Sequence, residues 1–198
     1  MASWQGGTTN ESAGECPAGH GQTNYAEGIT SFESQVRVAL LVDYPVLMRA
    51  VRAVESEAVP RLGDVVGAAR ELGAVFISRA YGAWYDIDEA TIAFTDGFDP
   101  VFVPPLGPGN VPTTSALISD GLNVVKQGLV DVLALSGDDR LLPLLTAAHE
   151  EDLPIALIAH ACQPDGPCLP LANSASPASD FLRAITRAER YRRSRSAA

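Results

Sequence analysis

The sequence predicts an α/β fold, a mostly parallel central sheet covered by helices on both faces. Two nearly continuous apolar runs, VRVALLVD from Val36 and LVDVLALSGDD from Leu129, stop at aspartates, as strands buried on both faces of a parallel sheet do. Strand-like runs alternate with segments whose apolar residues recur at helical spacing, and that alternation implies right-handed crossovers.

The first strand is expected over Val36–Val42. Val46, Leu47, Ala50, Val51 and Val54 then follow a helical period, and a second helix is expected from Pro60 to Leu72, with Gly73 as its C-cap. AVFISRAYGAW, rich in β-branched and aromatic residues, reads as a strand; DIDEATIAFTDGF reads as helix or irregular chain, and DPVFVPP as another strand. Four prolines and two glycines make PPLGPGNVPTT a loop. Helices are expected over Ser115–Gly128 and Leu141–Glu151, around the LVDVLALS strand, and LPIALIAH reads as the last strand. SPASDFLRAITRAERYRRS reads as a closing basic helix capped by Ser179 or Asp180. Residues 1–33, rich in glycine and small polar residues, read as a disordered leader before a domain over 34–162, with 163–198 as loop and basic helix or tail.

With 46% apolar residues the chain can close a core, and at 198 residues a second full domain is not expected. No apolar run is long enough to span a bilayer and the N-terminus has no signal-peptide pattern, so a cytoplasmic protein without a membrane partner is expected. Cys16, Cys162 and Cys168 are too few for a disulfide framework. A net charge of −10 argues against charge-driven nucleic-acid binding over the whole surface. Six of the 14 basic residues, Arg183 to Arg195, lie in the last sixteen positions, either as a phosphate-contacting arm or as a solvated helix end.

In sheets of this kind ligands bind beyond the carboxyl ends of the strands, which selects Asp43, Asp138 and Asp139, with Asp120 on the preceding helix. Converging carboxylates repel one another unless a hard cation such as Mg²⁺ or Mn²⁺ joins them, and such an ion can activate water against a phosphodiester. A strand-end aspartate can equally be a local cap. Tyr81, Trp84 and Tyr85 could stack on bases or close a sheet edge. His149, flanked by acids on a helix, reads as exposed. Cys162, Cys168 and His160, with Cys16 or His20, allow a zinc site to be sketched, although their spacing fits no established pattern.

The order VALLVD, RAYGAW, a proline- and glycine-rich loop leading into SDGL, then VDVLALSGDDRLLPLL resembles the NYN group of PIN-like ribonucleases, particularly its LabA-like branch, over Val36–His160. The resemblance implies a Rossmann-like, PIN-like three-layer fold and an acidic pocket that holds Mg²⁺ or Mn²⁺ and cleaves RNA. It matches Asp43, Asp120 and Asp138 to the catalytic and metal-binding aspartates. Four departures stand out: Val46 where the family has asparagine, a missing lysine-containing loop, Thr114 in place of an aspartate, and Arg140 in place of the second aspartate of Ser-Gly-Asp-x-Asp. Asp139 could compensate as a metal ligand, whereas Arg140 would compete with a metal or bind phosphate itself. Two functions are therefore expected: a metal-dependent endoribonuclease, or a catalytically degenerate NYN domain that binds RNA or a protein partner.

Overall fold

The computed structural model describes residues 35–107 and 112–184. Its centre is a six-stranded sheet with strands β1 (Arg37–Asp43), β3 (Ala74–Gly82), β4 (Asp99–Phe102), β5 (Val132–Ser136), β6 (Ile155–His160) and β7 (Ser174–Pro177). They lie in the order β4-β3-β1-β5-β6-β7, and every neighbouring pair is parallel. The connections are α1 (Tyr44–Val54), α2 (Leu62–Arg70), α3 (Ile87–Thr95), α4 (Thr113–Gln127) and α5 (Leu142–Glu150). This is the expected three-layer α/β architecture, consistent with a Rossmann-like or PIN-like fold.

The alternation of β1 divides the core. Val38, Leu40 and Val42 pack with Leu47, Val51, Val65 and Val66 of α1 and α2, whereas Ala39 and Leu41 pack with Leu117 of α4 and Leu144 and Leu145 of α5. Both faces of β1 are covered, which explains its uninterrupted apolar sequence. Progression along the sheet reverses between β1 and β5, so their carboxyl ends flank the topological switch point.

Most expected elements form, with shifted ends. α4 begins two residues early, at Thr113, and ends on Gly128 in the left-handed conformation (φ 59°), which glycine adopts without a Cβ clash. Pro60 does not start a helix: it closes a short strand, β2 (Ala58–Pro60). Gly73 is not a C-cap, because α2 ends at Arg70 with Glu71 capping; Gly73 lets the chain pass close to β1, and a Cβ there would collide with the Val36 carbonyl.

LPIALIAH is not the last strand, and the closing helix is absent over residues 176–184. β7 adds to the edge beyond β6, Ala178 and Phe181 bury themselves in a 3₁₀ turn against the α1/α2 face, and β8 (Leu182–Ala184) pairs antiparallel with β2. Burial of Phe181 and pairing to β2 outweigh the helical pattern, a tertiary override of local propensity. Ser179 bonds to the Asp180 carboxylate (3.3 Å) and caps no helix. The rest of that expected helix and the expected leader lie outside the described residues. Among the described residues no helix is long and apolar enough to cross a membrane.

Candidate functional site

The expected carboxylates do lie near the switch point, but the structure does not join Asp43, Asp120 and Asp138 into one cation site. Asp43 ends β1 and is fully buried. Its Oδ1 accepts hydrogen bonds from the Val46 N–H (3.3 Å) and the Thr113 hydroxyl (2.9 Å), and its Oδ2 from the Thr114 hydroxyl (2.5 Å). It is the N-cap of α1, with Pro45 in the first helical turn where a missing N–H costs nothing.

Asp120 sits two helical turns further along α4 and is engaged elsewhere. The Tyr81 hydroxyl donates to its Oδ2 at 2.8 Å and Arg79 Nη1 at 3.1 Å. Burial, the hydrogen bond to Asp120 and its negative charge all raise the Tyr81 hydroxyl above its ordinary pKa, so it stays a donor.

Asp138 is held by Arg140. Nε reaches both carboxylate oxygens (2.9 and 3.1 Å), Nη2 reaches Oδ2 (2.9 Å), and the Arg140 N–H donates to Oδ1 at 3.1 Å. Burial raises the Asp138 pKa, but the bonds and charge of Arg140 outweigh it and hold the carboxyl below its ordinary value. The guanidinium thus engages both oxygens of the carboxylate. As arranged, then, the three aspartates do not fit a shared Mg²⁺ or Mn²⁺: one is sealed by donors, one bonded to Arg79 and Tyr81, and one forked by an arginine.

Beside this pair lies a depression of about 410 Å³ lined by Val46, Arg49, Asp138, Asp139, Arg140 and Gln163, among others. Arg49 also lines a second depression of about 400 Å³ with Arg52, Tyr44, Trp84 and Tyr85. Arg49 and Arg52 are exposed, and neither forms an ion pair among the described residues.

The aromatic trio separates. Tyr81 is fully buried against α4. Trp84 stacks on Tyr44 (centroids 4.8 Å apart) and donates from Nε1 to the Val101 carbonyl at 2.9 Å. These contacts fix Trp84 at φ 45°, an unfavourable conformation for a bulky residue. Tyr85 is 78% exposed and free to stack.

Asp139 takes a place the spacing did not suggest. Its Oδ2 accepts from the Gln163 N–H (2.9 Å) on the loop after β6, while its Oδ1 is buried without a hydrogen-bond partner. Cys162 and Cys168 converge on it, and the ligand atoms of the three residues lie within 4.8 Å of one another. His160 and the leader do not complete the zinc set sketched from sequence: His160 is outside this group and accepts the Cys162 N–H at Nδ1 (3.2 Å), and Cys16 and His20 lie outside the described residues. Burial lowers the His160 pKa, leaving a neutral ring near pH 7. Burial, then the neighbouring Cys168 and Asp139, push the Cys162 thiol up to about 12; burial and Asp139 push Cys168 up to about 11. Without a cation neither is a ready nucleophile. His149 is exposed, as expected.

No protein-family model matches the chain, and no curated protein matches it. Among solved structures it is similar to a protein of unknown function from Vibrio parahaemolyticus, with 18% sequence identity and a TM-score of 0.61 over 76% of this chain and 98% of that one. At that identity the likeness concerns the fold alone.

Proposed function

We propose that the domain is a catalytically degenerate NYN-type module that binds single-stranded RNA at the carboxyl edge of its sheet without cleaving it. The observation that carries this reading is the fork of Arg140 on Asp138, at 2.9–3.1 Å, which neutralises the carboxylate the nuclease reading most needs. The Arg140 side chain remains 56% exposed, so its outer face can still meet a phosphate oxygen. Arg49 lines the depression beside Arg140 and, with Arg52, the adjoining one that holds Trp84, the exposed ring of Tyr85 and the carboxylates Asp86 and Glu89. A strip of arginines beside an accessible aromatic ring suits single-stranded RNA, whose backbone needs cations and whose bases stack without regard to sequence. On a chain of net charge −10, such binding is confined to that strip and falls with added salt.

The test is fluorescence anisotropy with short labelled RNA, alongside a cleavage assay in Mn²⁺. Arg49→Glu combined with Arg52→Glu should weaken binding by roughly tenfold or more and flatten its salt dependence. RNA should stay intact with or without chelator. Metal-dependent cleavage by the wild-type chain, lost in Asp138→Asn, would establish the nuclease reading instead; RNA affinity indifferent to both arginines would remove the binding strip.

A further inference from the structure

The loop Cys162–Cys168 folds over Asp139, although the residues belong to segments following two different strands, β5 and β6. Because β5 and β6 are parallel neighbours, the turns that leave them share one edge of the sheet. Gly166 makes the close approach possible: a Cβ there would lie 2.8 Å from the Asp139 carboxylate carbon, with the nearest carboxylate oxygen closer still. A turn from Gly166 N–H to the Gln163 carbonyl (2.9 Å) and the Gln163 N–H bond to Asp139 Oδ2 (2.9 Å) hold the loop in place.

What this packing encloses is chemically incomplete. Asp139 Oδ1 is buried without a hydrogen-bond partner, an arrangement proteins rarely leave standing. The Cys168 thiol, in a fully buried residue, lies 3.6 Å from the Asp139 carbonyl and the Cys162 thiol 4.0 Å from the Gly137 carbonyl, long contacts for weak donors, and the two thiols otherwise meet each other and the Asp139 carboxylate.

We propose that Asp139, Cys162 and Cys168 form a binding site for a thiophilic divalent cation, Zn²⁺ by its ligand chemistry. Zn²⁺ takes sulfur at about 2.3 Å and carboxylate oxygen at about 2.0–2.2 Å, so tetrahedral ligands stand roughly 3.5–3.8 Å apart. The three atoms, already within 4.8 Å of one another, reach that spacing with small side-chain rotations. The ion satisfies the orphaned carboxylate oxygen and takes both sulfurs as thiolates, their two protons leaving to solvent. A disulfide between the cysteines would leave that oxygen as it is. Among the described residues no fourth histidine, cysteine, aspartate or glutamate joins the group, so water completes the coordination. Two thiolates and a single carboxylate select against Mg²⁺ and Ca²⁺, which prefer all-oxygen shells. Bound there, the ion ties the turn carrying Asp138–Arg140 to the loop after β6, on one wall of the depression beside the Arg140 fork.

The full chain, reduced and freed of metal by dialysis against a chelator, is titrated with Zn²⁺ in competition with a chromophoric chelator, and separately with Co²⁺. The expected result is one equivalent bound, with Co²⁺ giving thiolate-to-metal charge-transfer absorption and tetrahedral visible bands. Asp139→Asn and Cys162→Ser, both at part-exposed positions, should each weaken Zn²⁺ binding by roughly tenfold or more. Cys16→Ser should not weaken it. Circular dichroism of each variant keeps misfolding separate from ligand loss. Absence of stoichiometric binding by the reduced chain overturns the proposal, as does binding that survives both Asp139→Asn and Cys162→Ser. A Cys162–Cys168 disulfide that yields, once reduced, thiols without metal affinity overturns it too.

Discussion

Replacing Asp43 separates a structural carboxylate from a metal ligand most cleanly. Asp43→Ala removes the acceptor of three hydrogen bonds from a fully buried site: the Val46 N–H at the start of α1 and the hydroxyls of Thr113 and Thr114. Loss of the cap costs about 1 kcal/mol. Each stranded buried hydroxyl adds about 1–3 kcal/mol if it finds no other acceptor. The sum is about 3–7 kcal/mol, or a fall in melting temperature of roughly 6–28 °C for a chain of this size. Urea denaturation followed by circular dichroism measures it. Because stranded donors carry much of the cost, Thr114→Val in the Asp43→Ala background should cost less than it does alone, with a coupling of about 1–2 kcal/mol. A carboxylate held in a repelling cluster that awaits a cation behaves oppositely, since its removal relieves repulsion and stabilises the apo chain. An Asp43→Ala chain as stable as the wild type, or more so, would refute the capping role and return Asp43 to the metal-site reading.

Arg140→Asp exchanges a fixed cation for a carboxylate beside Asp138. It should raise Mn²⁺ affinity by roughly one to two orders of magnitude, seen by calorimetry, yet RNA should remain uncut because Asp43 and Asp120 stay engaged; cleavage switched on by this one change would contradict the geometry. The depressed pKa of Asp138 means that the fork's contribution to stability is present above the carboxyl's ordinary value and is lost as pH falls through its lower folded value. Carbon-detected NMR titration should show the Asp138 midpoint rising in Arg140→Ala, and an unmoved midpoint would show that the fork does not form in solution. Trp84→Ala should destabilise the fold by about 2–4 kcal/mol. Tyr85→Ala should leave stability unchanged and weaken RNA binding by about 1–3 kcal/mol; the reverse pattern would exchange their roles.

The sheet was legible in the sequence because its signal is local. A strand covered on both faces must be apolar throughout, and β1, β5 and β6 read that way without reference to the rest of the chain. β7 and β8 were not legible, since SASP and LRA carry no strand pattern and form through the neighbours they meet, β6 and β2. The cluster of Asp139 with Cys162 and Cys168 was hidden for a related reason. The two cysteines lie 23 and 29 positions beyond Asp139, and the adjacency of β5 and β6 brings them to it. Residues that follow consecutive parallel strands are candidates for one site, a signal that spacing along a single segment cannot supply.

The residues at 46, 114 and 140 explain why the neighbouring carboxylates do not gather around a cation. At 114, an aspartate would set a second negative charge against buried Asp43 and require a metal between them; Thr114 supplies a hydroxyl donor at 2.5 Å. At 46, buried Val46 lines the depression beside Asp138 with an apolar side chain and offers Asp43 its backbone N–H. At 140, Arg140 supplies the positive charge itself. Each carboxylate is answered locally, with a donor or a fixed cation, so mutual repulsion does not make a divalent ion necessary. On the reading proposed above, metal-dependent cleavage should require Thr114→Asp together with Arg140→Asp. Either change alone should leave RNA intact, and a single replacement that produced cleavage would show that these positions act independently.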